Sequence, residues 1–108
     1  MTSTDQTDPP ERHARLVADL RRAVLEGPGV TAPATRRSVA AAEPVAPPLD
    51  AYLDKVRDAS YRVVDRDVSQ LRGAGHGEEE IFELTVAAAL GKALQPFDQA
   101  MRHLRRQV

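Results

Sequence analysis

Ser60, Tyr61, Asp65 and Asp67 lie within one short stretch of the chain and carry hydroxyls and carboxylates that could do chemistry. The two hydroxyls can donate hydrogen bonds to a bound oxygen. Asp67 can serve as a general base if it is held within reach of a substrate proton and tuned by burial. The same residues also have a plainer structural use. Asp65 reads as a helix N-cap, Asp67 supports the positive end of that helix, and Ser60 is small enough to pack against a neighbour. The plainer use carries more weight, because caps at such positions are common.

The three histidines are His13, His76 and His103. None stands three or four residues from another, so no pair shares a helix face in zinc-like spacing, and we expect no metal site. His76 sits between Gly75 and Gly77, beside an acidic run. It could be a local pH-responsive contact, but a solvated loop histidine is the better explanation. The chain has no cysteine, which excludes disulfides, thiolate metal ligands and thiol redox catalysis. Gly75-x-Gly77 follows a helical pattern and lacks Gly-Lys-Ser/Thr, so it is no phosphate loop. We expect no cofactor.

These residues must be positioned by helices, since no alternating strand pattern occurs. Leu16, Val17, Leu20, Ala23 and Val24 recur at helical spacing and predict a first helix from near Pro10 or Glu11, with Asp8 as its cap. Gly27-Pro28-Gly29 should end it through a left-handed glycine. Thr31 should cap a short helix reaching about Ala42, with Ala34 and Val39 inside and Arg36 and Arg37 outside. The prolines between Glu43 and Pro48 predict an extended connector. A third helix is expected over Leu49 to Val63 and a short fourth one after Asp65, ended by Gly73 and Gly75.

The organising element is Glu78 to Leu94. It is apolar nearly all round, which predicts a helix buried nearly all round, capped at Gly77 and opened by Glu78, Glu79 and Glu80. Gly91 inside it costs about 1 kcal/mol relative to alanine, so close approach of another helix is expected there. Pro96 should kink or restart the helix, leaving Phe97, Ala100, Met101, Leu104 and Val108 as the stripe of a last one. The expected fold is all-α. Residues 1–10 form a disordered tail, and residues 11–108 form one domain of about five to six helices around a central buried Ala-rich helix.

The segment Ala59 to Leu90, ASYRVVDRDVSQLRGAGHGEEEIFELTVAAAL, resembles the alkylhydroperoxidase D-like and carboxymuconolactone decarboxylase superfamily, with the likeness strongest over about residues 50 to 105. The carrying pattern is a short helix ending in Ala74-Gly75, then Glu-Glu-Ile-Phe-Glu opening an Ala-rich helix. The resemblance implies an all-α domain assembled into trimers or hexamers. In the superfamily's redox members a Cys-x-x-Cys-x-x-x-His motif precedes that glycine. By that spacing its positions fall on Ser60, Val63 and Asp67, so all three are replaced. A thiol peroxidase needs a thiolate and a resolving thiol, and this chain has neither. The decarboxylase branch works without that pair, but none of its catalytic residues can be matched here.

Two functions are therefore expected. The first is a helical protein without thiol chemistry that acts by oligomeric assembly, or by binding a small molecule or a protein partner. The second is a cofactor-free lyase or isomerase acting on a small organic acid, with Asp67 or His76 as base and nearby Arg residues holding the substrate carboxylate. The net charge of −1 and the acids opening the would-be recognition helix argue against nucleic acid. No apolar run follows Met1, so no secretory signal or membrane segment is expected, and the cytoplasm is the default. A peroxide-turnover assay supplied with a dithiol reductant should give background rates. Turnover clearly above background would contradict the loss of thiol chemistry.

Overall fold

A computed structural model describes residues 9–107, so the predicted tail over residues 1–8, the Asp8 cap and Val108 lie outside the described residues. The described residues form five α-helices: α1 (Pro9–Arg21), α2 (Pro33–Ala40), α3 (Leu49–Ala59), α4 (Asp65–Gly73) and α5 (Glu78–Arg106). A π-helical turn, Arg22–Glu26, extends α1, and a 3-10 turn, Ser60–Arg62, extends α3. No strand occurs among the described residues, which is the all-α class expected.

α5 is the axis of the molecule. Its 29 residues span about 43 Å at 1.5 Å per residue. α2, α3 and α4 pack around its first half and form the body, where Leu53, Leu71, Leu84 and Val39 are fully enclosed. Its second half leaves the body with α1 running antiparallel beside it. Arg21 donates to both carboxylate oxygens of Asp98, at 2.5 and 2.7 Å, and Ala14, Val17, Phe97 and Met101 meet along this arm. The arm makes the molecule long, 59 × 27 × 22 Å, with a radius of gyration of 16.8 Å. A compact chain of this length would have about 13 Å.

Several expectations change. α5 runs through Pro96 without a break. The proline lies on an exposed side, where water can meet the carbonyl that its missing N–H leaves free, and the Arg21–Asp98 pair holds the next turn in place. α5 is also not buried all round. Ile81, Leu84, Ala87 and Ala88 are enclosed, but Phe82 is 68% exposed and Ala89 and Ala93 face outward. The body helices cover one side only. Along α1 and its π-helical turn the covered residues are Ala14, Val17, Arg21, Val24 and Leu25, of which Leu25 joins the core, whereas Leu16 and Leu20 are 65% and 46% exposed. α3 ends at Ala59 rather than Val63, and Ala34 is exposed.

The helix ends show local chemistry. α4 closes with His76 N–H on the Leu71 carbonyl and Gly75 N–H on that of Arg72, with Gly75 at φ 101°. This is the Schellman arrangement. α2 closes the same way, with Glu43 N–H on Ser38 and Ala42 N–H on Val39, but the left-handed residue is Ala42, at φ 61°. Gly27, by contrast, is extended. It is required because a methyl there would collide with the Ala23 carbonyl. Gly91 meets its expectation: a methyl would strike the carbonyl of Ala40, so the end of α2 in the same chain is the close neighbour. Replacing Ala42 by Gly should raise stability in a urea titration by about 0.5–1 kcal/mol, since glycine relieves the left-handed backbone. Gly91→Ala should lower it by about 1–3 kcal/mol through overpacking.

Candidate functional site

The residues singled out in the sequence do not converge. Ser60 and Val63 line one open groove of about 480 Å³ between α3 and α5, with Val56, Arg57, Ala89 and Lys92. Ser60 is exposed and Val63 partly covered. Tyr61 points away and is 86% exposed, so it contributes nothing to that groove. Asp67 lies elsewhere, in a cavity of about 110 Å³ with Lys55, Tyr52 and Gln70. This is below the range of about 300 Å³ and more usual for ligand pockets. His76 stands at the other end of α4, where Nδ1 is 3.1 Å from Glu80.

Asp67 has a structural task there. α4 begins at Asp65, and its N-cap is Val64 rather than Asp65. Valine has no side-chain acceptor, so Asp67, in the first turn, reaches back to accept the Val64 N–H at 2.8 Å. This is one half of a capping box. Lys55 Nζ then donates to both carboxylate oxygens, at 3.0 and 3.1 Å. The Val64 amide first, and Lys55 second, hold the Asp67 carboxyl below its ordinary value. A general base works best with a pKa near the operating pH, and these contacts move Asp67 the other way. The neighbouring cation is a lysine rather than the arginine a carboxylate-binding pocket would call for. α5 is capped by the same device: Glu80 accepts the Gly77 N–H at 3.2 Å while its other oxygen faces His76.

The most densely bonded site was not legible as one in the sequence. The loop between α1 and α2 is held by Arg36 and Glu83. Arg36, read from the sequence as a solvent-facing residue of α2, is 3% exposed. Its guanidinium donates to the carbonyls of Val24 at 2.9 Å, Gly27 at 2.8 Å and Thr31 at 3.2 Å. Glu83 accepts from Val30 N–H at 2.8 Å and from Thr31 N–H and hydroxyl at 2.9 and 2.5 Å. Thr31 therefore does not cap α2, which starts after Ala32 with Pro33 in its first turn. The Thr31 hydroxyl, then the Thr31 and Val30 amides, lower the pKa of Glu83, and the Arg36 charge adds to this. A lone acid inside an apolar run is the signal that could have pointed to Glu83. Nothing in the helical period of α2 marks Arg36.

A smaller polar contact ties α3 to α5. Thr85 donates to the Ile81 carbonyl at 2.6 Å, so its hydroxyl accepts from Tyr52 at 2.7 Å. No group of three or more histidines, cysteines or acids among the described residues could hold a metal ion. No helix among them is long and apolar enough to cross a membrane. No family model, curated protein or solved structure matches the chain.

Asp67 and Glu83 contribute to the response to acid. Both carboxyls have lower pKa values folded than their ordinary 3.8 and 4.5, so the unfolded chain binds more protons once the pH falls into that range. The stability they contribute is present above the ordinary values and is lost as pH falls through them toward the folded ones. The urea midpoint should therefore drop between about pH 6 and pH 3, and Glu83→Gln should make that drop shallower. An acid limb unchanged in Glu83→Gln would show that its contacts with the loop contribute nothing.

Proposed function

We propose that this chain is a non-catalytic helical module that works by assembly, docking through the side of α5 that its own helices leave open. One observation carries the reading. Phe82 and Leu104, at opposite ends of that helix, are 68% and 48% exposed, with exposed alanines between them. Scattered exposed apolar residues are ordinary, but an aligned row along one element marks an interaction surface. The occupied hydrogen bonds of Asp67, and the separation of Ser60, Tyr61 and His76 from it, favour binding over catalysis.

Homo-oligomeric assembly is the form we favour. The order of elements supports the superfamily resemblance as a proposal: a short helix closed by Gly75, an acid-capped turn, then an Ala-rich helix. Trimers or hexamers are the states that resemblance suggests. Sedimentation equilibrium at micromolar concentration should give a mass above the 11.8 kDa of one chain. Phe82→Asp, a change at an exposed position, should shift the mass toward the monomer with little change in thermal midpoint. A monomer in the unmodified protein, with no partner bound, would contradict the reading.

A further inference from the structure

We propose that α5 pairs with α5 of a second copy, antiparallel, along the stripe Phe82, Val86, Ala89, Ala93, Pro96 and Ala100. The inference rests on the assembly reading above and names its partner and geometry. These six positions alternate in steps of four and three residues, the spacing of a coiled-coil seam. They lie opposite the enclosed residues Leu84 and Ala88. Val86 is half-buried, and the other five are exposed. The seam runs over nineteen residues, about 27 Å.

Two features select a second copy and its direction. The first is shape. Turned antiparallel about Gly91, the seam matches itself: Phe82 faces Ala100, Val86 faces Pro96 and Ala89 faces Ala93. Each large side chain meets a small or flat one, and the two alanine layers at the middle let the helices approach to about 8 Å. Both alanines are exposed, and the groove walled by Val56, Ser60 and Val63 of α3 and its extension opens beside them.

The second feature is charge. α5 opens with Glu78, Glu79 and Glu80 and closes with Arg102, Arg105 and Arg106, all but Glu80 exposed. Antiparallel pairing brings Glu78, one turn before Phe82 and flanking the seam, near Arg106 of the second copy, while Arg102 and Arg105 stand on the side of α1; it also opposes the helix dipoles. Parallel pairing would bring acid to acid and arginine to arginine. A two-fold contact of this kind closes a dimer. It also fits inside a hexamer built with two-fold axes, whereas a plain three-fold ring has no place for it.

The absence of cysteine makes the test direct, because one introduced cysteine is the only labelling site. Spin labels are placed on Lys92→Cys, beside the crossing, and on Gln107→Cys, at the end of α5, and distances between copies are measured by pulsed dipolar spectroscopy. The proposal predicts a short distance at position 92, under about 25 Å. At position 107 it predicts a long one, near 48 Å along the axis. Short distances at both positions would mean parallel pairing and would overturn it. An oligomer with no short distance at position 92 would place the contact on another face, overturning this pairing while leaving assembly intact. A monomer by mass, with no dipolar signal, would overturn both readings.

Discussion

The loop between α1 and α2 lacks a secondary-structure partner for its backbone, and two opposite charges take that role. Arg36 collects the carbonyls of Val24, Gly27 and Thr31, and Glu83 collects the amides of Val30 and Thr31. Each such group, if buried without a partner, would cost about 1–3 kcal/mol. An enclosed guanidinium is itself costly unless its donors are used. Here Nη1 and Nη2 meet the carbonyls of Val24, Gly27 and Thr31 while Nε is buried without a partner, and a carboxylate of opposite sign lies across the loop. Gly29 belongs to the same arrangement, since a methyl there would press on the Glu83 carboxylate.

The rest of the architecture depends on that loop. With it fixed, α1 can leave the body only along the second half of α5, where Arg21 and Asp98 hold it. α2 is placed so that Ala40 rests on Gly91. The helices of one chain are then committed to one side of α5. What remains is a long helix with a packed side and an open apolar side, in a molecule too extended to cover that side itself. The assembly we propose follows from this geometry rather than from a catalytic group.

Much of the helical order was legible in the sequence because it rests on local rules. Gly75 and Gly77 bracket the turn into α5, Pro33 opens α2, and the prolines from Pro44 to Pro48 interrupt the helices. Gly91 announced a close crossing because glycine has no other reason to sit there. What was not legible depended on tertiary contacts. Arg36 and Arg37 look alike on a helical wheel, yet only Arg36 turns inward, because the loop carbonyls gather on its side. Leu16 and Leu20 have the right spacing for a core, but α5 meets the neighbouring row. The burial of α5 was overestimated because apolar composition does not say how many partners a chain can bring to a helix. Asp67 had the chemistry of a base in the sequence, and Lys55 and the Val64 amide gave it the contacts of a cap.

The Arg36 and Glu83 clamp on the loop holds α1 to the body and so fixes which side of α5 is left open. Amide hydrogen exchange in Arg36→Met tests it most directly. Exchange should quicken at Val30 and Thr31 and through the turn Arg22–Glu26, with the amides of Leu53 and Leu84 staying protected. Unchanged protection from Arg22 to Thr31, or an equal loss across the whole chain, would contradict it.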